Sequence, residues 1–387
     1  MKRFLSVLAV LALSIPALAL AQPEIKSKAE KLTITGRVHA QWFQSSIDAD
    51  PSNEFFIRRA RATIKVKMND MWSGQVQPDF GRDGLSLKNA FVRAEPKDGL
   101  FEITFGQTKR PFDLFELTSS TKSLVIERDG RIGRKRVVSL SRLTEKLHYS
   151  DRDIGLFVGF LPKSERYNVY AGVSNGSGAN LPAGFNSKNF DSSGNRVADD
   201  IGKKAYQGRV TVVPVKDKKW ELYGGVSTRP YNAAVDTAGV GGKVFEAKYA
   251  TAYEVSTQYG GFSKGIIGQL GFITGHNWSG EQTGYDPTTD FEQSPPSFVA
   301  IQGIVAYTHP VNDNGWFRAV RPGVRVGWTD PNTDDAKGGM DDAGLLITPG
   351  FDFVNDSRNR IAINVDIFKP ETGDTEFGTK VQTYMYW

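Results

Sequence analysis

Leu32-Thr33-Ile34-Thr35-Gly36-Arg37-Val38-His39-Ala40-Gln41-Trp42 alternates without a break. Leu32, Ile34, Gly36, Val38, Ala40 and Trp42 fall on one face, and Thr33, Thr35, Arg37, His39 and Gln41 on the other. Side chains along a strand repeat every second residue, so the stretch reads as a strand with one apolar and one wet side. Residues 55–69 repeat the pattern, with Ala60, Ala62, Ile64, Val66 and Met68 opposed to Arg59, Arg61, Thr63, Lys65 and Lys67.

Working outward, similar segments fall near 71–80, 85–95, 100–108, 150–161, 166–174, 204–214, 219–228, 246–259, 263–274, 297–308, 318–329, 344–355, 359–369 and 376–387. With the first two they make sixteen, each near the roughly 9–11 residues of a tilted membrane strand. Asn69-Asp70, Pro96-Lys97-Asp98-Gly99 and Asp356-Ser357-Arg358 read as short turns. Segments 109–149, 175–203, 230–245 and 275–296 read as long polar loops. Short turns at one end and long loops at the other fit an all-β, 16-stranded antiparallel transmembrane barrel with long extracellular loops. Tyr384-Met385-Tyr386-Trp387 supplies interfacial aromatics on the last strand. A β-sandwich or propeller also alternates, but no repeat near 40 residues is visible.

The flanks and the composition agree. Lys2 and Arg3, an apolar run from Phe4 to Leu20 and Ala19-Leu20-Ala21 read as a signal peptide over 1–21. Residues 22–31 are then a short periplasmic segment, and 32–387 the barrel. No later apolar run approaches the roughly 20 residues of a spanning helix. The absence of Cys excludes disulfides, thiolate metal sites and a Cys nucleophile. His39, His148, His276 and His309 lack metal-ligand spacing. No G-x-S-x-G, H-E-x-x-H or P-loop pattern occurs, so neither enzyme activity nor a cofactor is expected. His148 beside Ser150 is a weak hydrolase candidate; the acid pairs Asp199-Asp200 and Asp341-Asp342 read as solvated loop charges.

Cations cluster. Window 109–148 holds ten: Lys109, Arg110, Lys122, Arg128, Arg131, Arg134, Lys135, Arg136, Arg142 and Lys146, against five acids. A loop of this length after the fifth strand can fold into the lumen as a basic constriction. The polar faces add Arg37, Arg59, Arg61, Lys65 and Arg93. Cations in a wet pore attract anions and replace part of their hydration, and guanidinium matches phosphate and carboxylate. On the lipid face near mid-membrane they would cost about 2–4 kcal/mol each. Solvated faces, or lipopolysaccharide phosphates outside, are the competing reading for Lys135 and Arg136. Strict alternation puts Arg58 outside with Phe56 and Ala60; a β-bulge between Phe56 and Arg59 would turn it inward.

At these residues the chain resembles the phosphate-selective porin O/P family. The likeness rests on Phe55-Phe56-Ile57-Arg58-Arg59-Ala60-Arg61, on Leu87-Lys88-Asn89-Ala90-Phe91-Val92 and on Phe105-Gly106-Gln107-Thr108-Lys109-Arg110-Pro111-Phe112. Thr118-Ser119-Ser120 and Ile126-Glu127-Arg128 follow at the family's distance. The resemblance implies a trimeric barrel with Arg58 and Arg59 in a central anion site. Phosphate-selective members carry Lys where this chain has Glu116 and Asp where it has Lys88, an exchange that would let Lys88 pair with Glu116.

The combined expectation is a passive channel of the bacterial outer membrane, anion-preferring, with phosphate or polyphosphate as solutes. Arg58, Arg59, Arg61, Lys88, Lys109 and Arg110 are the expected constriction residues; Arg37, Lys65, Arg93, Glu116, Arg128 and Arg131 are secondary ones. Expected partners are small anions, outer-membrane lipid, lipopolysaccharide and two further copies of the chain, with no nucleic acid. The alternatives are a general diffusion porin and a structural or adhesion protein without conductance.

Overall fold

The computed structural model describes residues 28–47, 52–81, 84–97, 99–179, 203–215, 219–235, 244–278, 294–311, 316–334, 342–356 and 358–387. The signal peptide and residues 22–27 lie outside them, as do the expected loop positions 180–202 and 279–293. Sixteen strands close one antiparallel barrel. They are β1 (Lys31–Ser45), β2 (Asn53–Lys67), β3 (Trp72–Asp79), β4 (Ser86–Ala94), β5 (Phe101–Lys109), β8 (Arg152–Phe160), β9 (Tyr167–Ser174) and β10 (Ala205–Val212). The second half is β11 (Trp220–Val235), β12 (Val244–Gly261), β13 (Lys264–His276), β14 (Ser297–Pro310), β15 (Ala319–Asp330), β16 (Gly344–Val354), β17 (Arg360–Pro370) and β18 (Glu376–Tyr386). The seam pairs β1 with β18, Arg37 facing Tyr386, and Gly36 exchanges backbone hydrogen bonds with Trp387. A Cβ at Gly36 would overlap the Trp387 ring, so glycine lets the ring lie over the seam.

Closure leaves no free edge, so each wall strand has a hydrogen-bonded neighbour on both sides. Alternation then sorts the faces. On β13, Ile266, Leu270 and Phe272 point out and stay exposed, while Ile267, Gln269, Gly271 and Ile273 point in. Of stretch 230–245, expected as a long polar loop, residues 230–235 and 244–245 belong to the wall: β11 runs on to Val235, opposite Val244 of β12, and 236–243 lie outside the described residues. The ladder pairs backbone groups that a loop would leave to water.

The connection from β5 to β8 folds into the lumen, as its length and polarity suggested. Its internal structure was not legible: it holds α1 (Leu114–Leu117), the ribbon β6 (Arg131–Ile132) with β7 (Lys135–Arg136), and α2 (Leu140–Lys146). One face of this loop is apolar. Phe112, Phe115, Leu140, Leu143 and Leu147 pack against inward Ala252, Ile267, Ile273, Phe298 and Ile304 of β12–β14. Ile132, Val137 and Val138 pack on Leu346 and Phe368 of β16 and β17. Glycines make this approach possible: a Cβ at Gly271 would come 2.7 Å from the Phe115 ring, and one at Gly378 3.1 Å from the Ile132 backbone. The loop therefore covers the inner wall of β11–β18, and the open lumen is left beside β1–β5 and β8.

The root of the loop carries an acid that makes no ion pair with a described residue. Asp113 caps α1, accepting from the backbone N–H of Phe115 and Glu116, and from Thr144 Oγ1 of α2 at 2.8 Å. Glu254 of β12 accepts the N–H groups of Asp113 and Leu114, both at 2.8 Å, and is paired with Arg209 of β10. Burial, then the negative charge of Glu254, pushes the Asp113 carboxyl up to about 7. A raised pKa means stabilisation that is complete below the ordinary carboxylate value and is lost as pH rises through about 7. Loop docking is therefore expected to be tighter at pH 5 than at pH 8. Single-channel closures counted from pH 5 to 9 should rise above pH 7, and the rise should vanish in Asp113→Asn. The same profile in both proteins would refute the assignment.

Candidate functional site

The wall of the lumen is built by two β-bulges. His39 faces Arg59 but Ala40 faces Ile57, so Arg58 is the extra residue of β2. Phe55 (83% exposed) and Ile57 point out before it, Ile64 after it, so the alternation changes phase there. Phe56, which strict alternation would place outside, lies instead opposite inward Gln41, near the Phe43 ring. Arg58 and Arg59 are then both turned into the lumen. The second bulge was not anticipated: Gln77 faces Asn89 but Pro78 faces Leu87, leaving Lys88 as the extra residue of β4. Pro78 has no N–H to offer a regular ladder at that point.

The loop answers with carboxylates. Arg58 Nε lies 2.5 Å from Glu127 Oε1, and Arg59 Nη2 3.3 Å from Oε2. Burial alone would raise the Glu127 carboxyl, but Arg58 and Arg59 hold it well below the usual range. Asp129 is likewise held low against its burial by Arg131 and Arg136, at 3.1 and 2.6 Å. Arg61 pairs with Asp79 at 2.6 Å, and Arg128 with Glu116 at 3.2 Å. These groups line a cavity of about 270 Å³ in which eight cations face six carboxylates. Among them only Lys88 makes no ion pair with a described residue.

A second cavity, of about 240 Å³, lies toward the short-turn end and has a different character. Arg37, Arg61, Lys65, Lys109, Arg128 and Arg152 line it, with hydroxyls of Thr35, Thr63, Ser119, Ser120 and Tyr386, and no carboxylate among the described residues. Arg61, Arg128 and Arg152 border both cavities. Arg37 donates to Ser120 Oγ at 3.0 Å, and Lys65 makes no ion pair with a described residue.

The structure thus gathers most of the residues singled out from sequence and corrects three assignments. Arg110 is fully buried and bound to Asp153 at 2.5 Å, so it fastens the loop root instead of facing solvent in the lumen. Arg93 lies by the short-turn end, paired with Glu102 at 2.8 Å, in a separate cavity with Lys31 and Lys67. Lys88 does not pair with Glu116, whose carboxylate is taken by Lys109 at 3.0 Å and Arg128. Arg131 lines the first cavity as part of the Asp129 cluster. Arg152, facing Lys109 across β5 and β8, and the acids Asp79 and Asp151 were missed. Alternation would have placed Arg152 inward, but its neighbours depend on pairing over a 42-residue insertion. Ser150 donates to Thr144, not to His148, so no dyad forms there. Lys135 and Arg134 reach Glu376 and Glu54 at the rim, outside the constriction.

A closed 16-stranded barrel with lipid-facing apolar positions, a polar lumen and an inward loop defines a bacterial outer-membrane porin. The family model described as phosphate-selective porin O and P matches residues 32–256, and the chain belongs to that family. Curated protein sequences contain no match. Among solved structures, the chain resembles in-vitro folded OmpT of Vibrio cholerae in its trimer form (TM-score 0.56, 14% identity, covering 92% of this chain and 99% of that one). It also resembles an anion-selective porin from Comamonas acidovorans (TM-score 0.56, 11% identity, 92% and 99%) and the channel DcaP of Acinetobacter baumannii (TM-score 0.57, 13% identity, 93% and 99%). At these identities the likeness concerns the fold alone.

Proposed function

We propose that this porin is a passive, anion-preferring channel and that inorganic phosphate is the solute its lumen suits best. The second cavity carries the reading: among the described residues six cations, five hydroxyl-bearing residues and no carboxylate line it. Anions passing the mixed first cavity reach a chamber where guanidinium and ammonium donors replace their water, and hydroxyls complete the shell. Phosphate uses the planar donor fork of Arg more fully than chloride does; short polyphosphates offer the same oxygens. A homotrimer in contact with membrane lipid and lipopolysaccharide, exported through cleavage near Ala21, completes the proposal. The exposed apolar outer face and the aromatic rows at the barrel ends support the lipid contact.

The test is the zero-current potential of the purified protein in a planar bilayer under a KCl gradient, followed by phosphate titration. The expected result is a potential of anion-selective sign and chloride current blocked by phosphate. Anion selectivity without block would overturn phosphate preference and leave a general anion porin. Cation-selective current would overturn the role of the basic chamber. No current from folded protein would favour a structural or adhesion role.

A further inference from the structure

Glu127 occupies the place where an oxyanion would sit. Its side chain is 1% exposed, and it faces two guanidiniums that the β2 bulge brings side by side. Arg58 offers Nε to Oε1 at 2.5 Å and Nη2 to Oε2 at 3.3 Å, a two-pronged fork, and Arg59 adds Nη2 to Oε2 at 3.3 Å. A carboxylate and a phosphate present the same O–X–O edge to such a fork. The backbone on either side of Glu127 is clamped to the opposite wall. Ile126 N–H donates to Asn364 Oδ1 at 2.6 Å. Arg325 Nη1 donates to the carbonyls of Glu127 and Arg128 at 3.0 and 2.8 Å, and Arg131 N–H donates to Asp366 Oδ2 at 2.9 Å. The carboxylate is thus delivered by a segment held from behind, into the first cavity.

We propose that Glu127 is a built-in counter-anion, a tethered competitor for the oxyanion site formed by Arg58 and Arg59. The inference rests on the anion-channel reading and deepens it. A solute phosphate engages the two guanidiniums by exchanging with Glu127, and Glu127 returns as the phosphate leaves. Exchange lowers the net affinity of the site without removing its donors. Conduction needs that combination, because an anion held too tightly does not leave. In the neighbouring basic chamber Arg61, Lys109, Arg128 and Arg152 are paired with Asp79, Glu116 and Asp151, while Arg37 and Lys65 make no ion pair with a described residue. Glu127 thereby becomes the residue that sets how strongly phosphate is held at the bulge.

The test compares wild type, Glu127→Gln and Glu127→Asp in planar bilayers, each shown folded by heat-modifiable gel mobility. In Glu127→Gln, half-block of chloride current by phosphate should need at least about tenfold less phosphate, the size expected for charge-assisted hydrogen bonds released from competition. Its saturating phosphate current should fall. Millimolar formate should relieve the block in Glu127→Gln and leave wild type unchanged, a readout that a merely structural role would not produce. Glu127→Asp keeps the charge and should stay near wild type. Unchanged half-block in folded Glu127→Gln, or no effect of formate, overturns the proposal while anion selectivity of wild type stands. Wild type without anion selectivity would instead overturn the channel reading on which the proposal rests. If Glu127→Gln does not fold, a Glu127→Asp half-block that tightens as far as about tenfold would count against a charge-based competitor.

Discussion

Arg325→Met is expected to free the inward loop while leaving the barrel closed. Arg325 is fully buried on β15 and supports three things at once. Its Nη1 holds the Glu127 and Arg128 carbonyls, its Nη2 lies 3.1 Å from Asp366 Oδ1, and Nη2 and Nε bond Thr348 Oγ1 at 2.7 and 3.1 Å. Removing one partner from a buried hydrogen-bonded pair costs about 3–5 kcal/mol, because the other charge is left behind. Lys380, 2.5 Å from Asp366, compensates part of that charge but cannot reach the loop carbonyls it never touched. The strand ladder on either side is unaffected, so the loss falls on residues 126–131. Open-channel noise should increase and conductance should fluctuate between levels, with heat-modifiable mobility retained. Arg325→Lys should not rescue, since one ammonium cannot serve two carbonyls, a hydroxyl and a carboxylate together. Quiet recordings indistinguishable from wild type would show that the apolar face of the loop holds it unaided.

The double change Arg37→Glu with Lys65→Glu should produce the largest shift in selectivity. Both residues face the basic chamber, and neither is in an ion pair with a described residue, so reversing them strands no buried charge, only the Ser120 hydroxyl that Arg37 bonds. Among the described residues the chamber lining would go from six cations and no acid to four cations and two acids. Each reversal changes the energy of an anion about 4 Å away by about 2 kcal/mol even at the dielectric of bulk water. The anion-to-cation permeability ratio should therefore fall by more than about tenfold, and phosphate block should be lost. High salt should shrink the difference, because the screening length drops from about 10 Å at 0.1 M to about 3 Å at 1 M. An unchanged zero-current potential would remove this chamber from the ion path.

Both expectations turn on where charges meet, which the chain did not display uniformly. Period-two alternation announced all sixteen wall strands, because the barrel meets lipid on one side and water on the other at every second residue. The Arg58 bulge was also legible, since a cation that strict alternation sets outside with Phe56 and Ala60 has no comfortable place in lipid. The Lys88 bulge was hidden: the phase change falls beside Pro78, and only Ser86 and Leu87 of β4 precede it, too few to show a phase. The two ends of stretch 230–245 were misjudged because their composition resembles a loop, whereas cross-strand pairing extends the hairpin to Val235 and Val244.

The chain alone determined the barrel, the side on which its cations lie and the length of the inward loop. Those are properties of neighbouring residues and of solvent on two faces. Only the tertiary structure decided which cation is neutralised. Arg58 meets Glu127 across 69 residues, Arg325 meets the loop backbone across 198, and Lys109 takes the Glu116 that Lys88 was expected to hold. Such pairings depend on where the loop's apolar face settles against β12–β17, and Coulomb energy, which varies with distance, follows from that settlement.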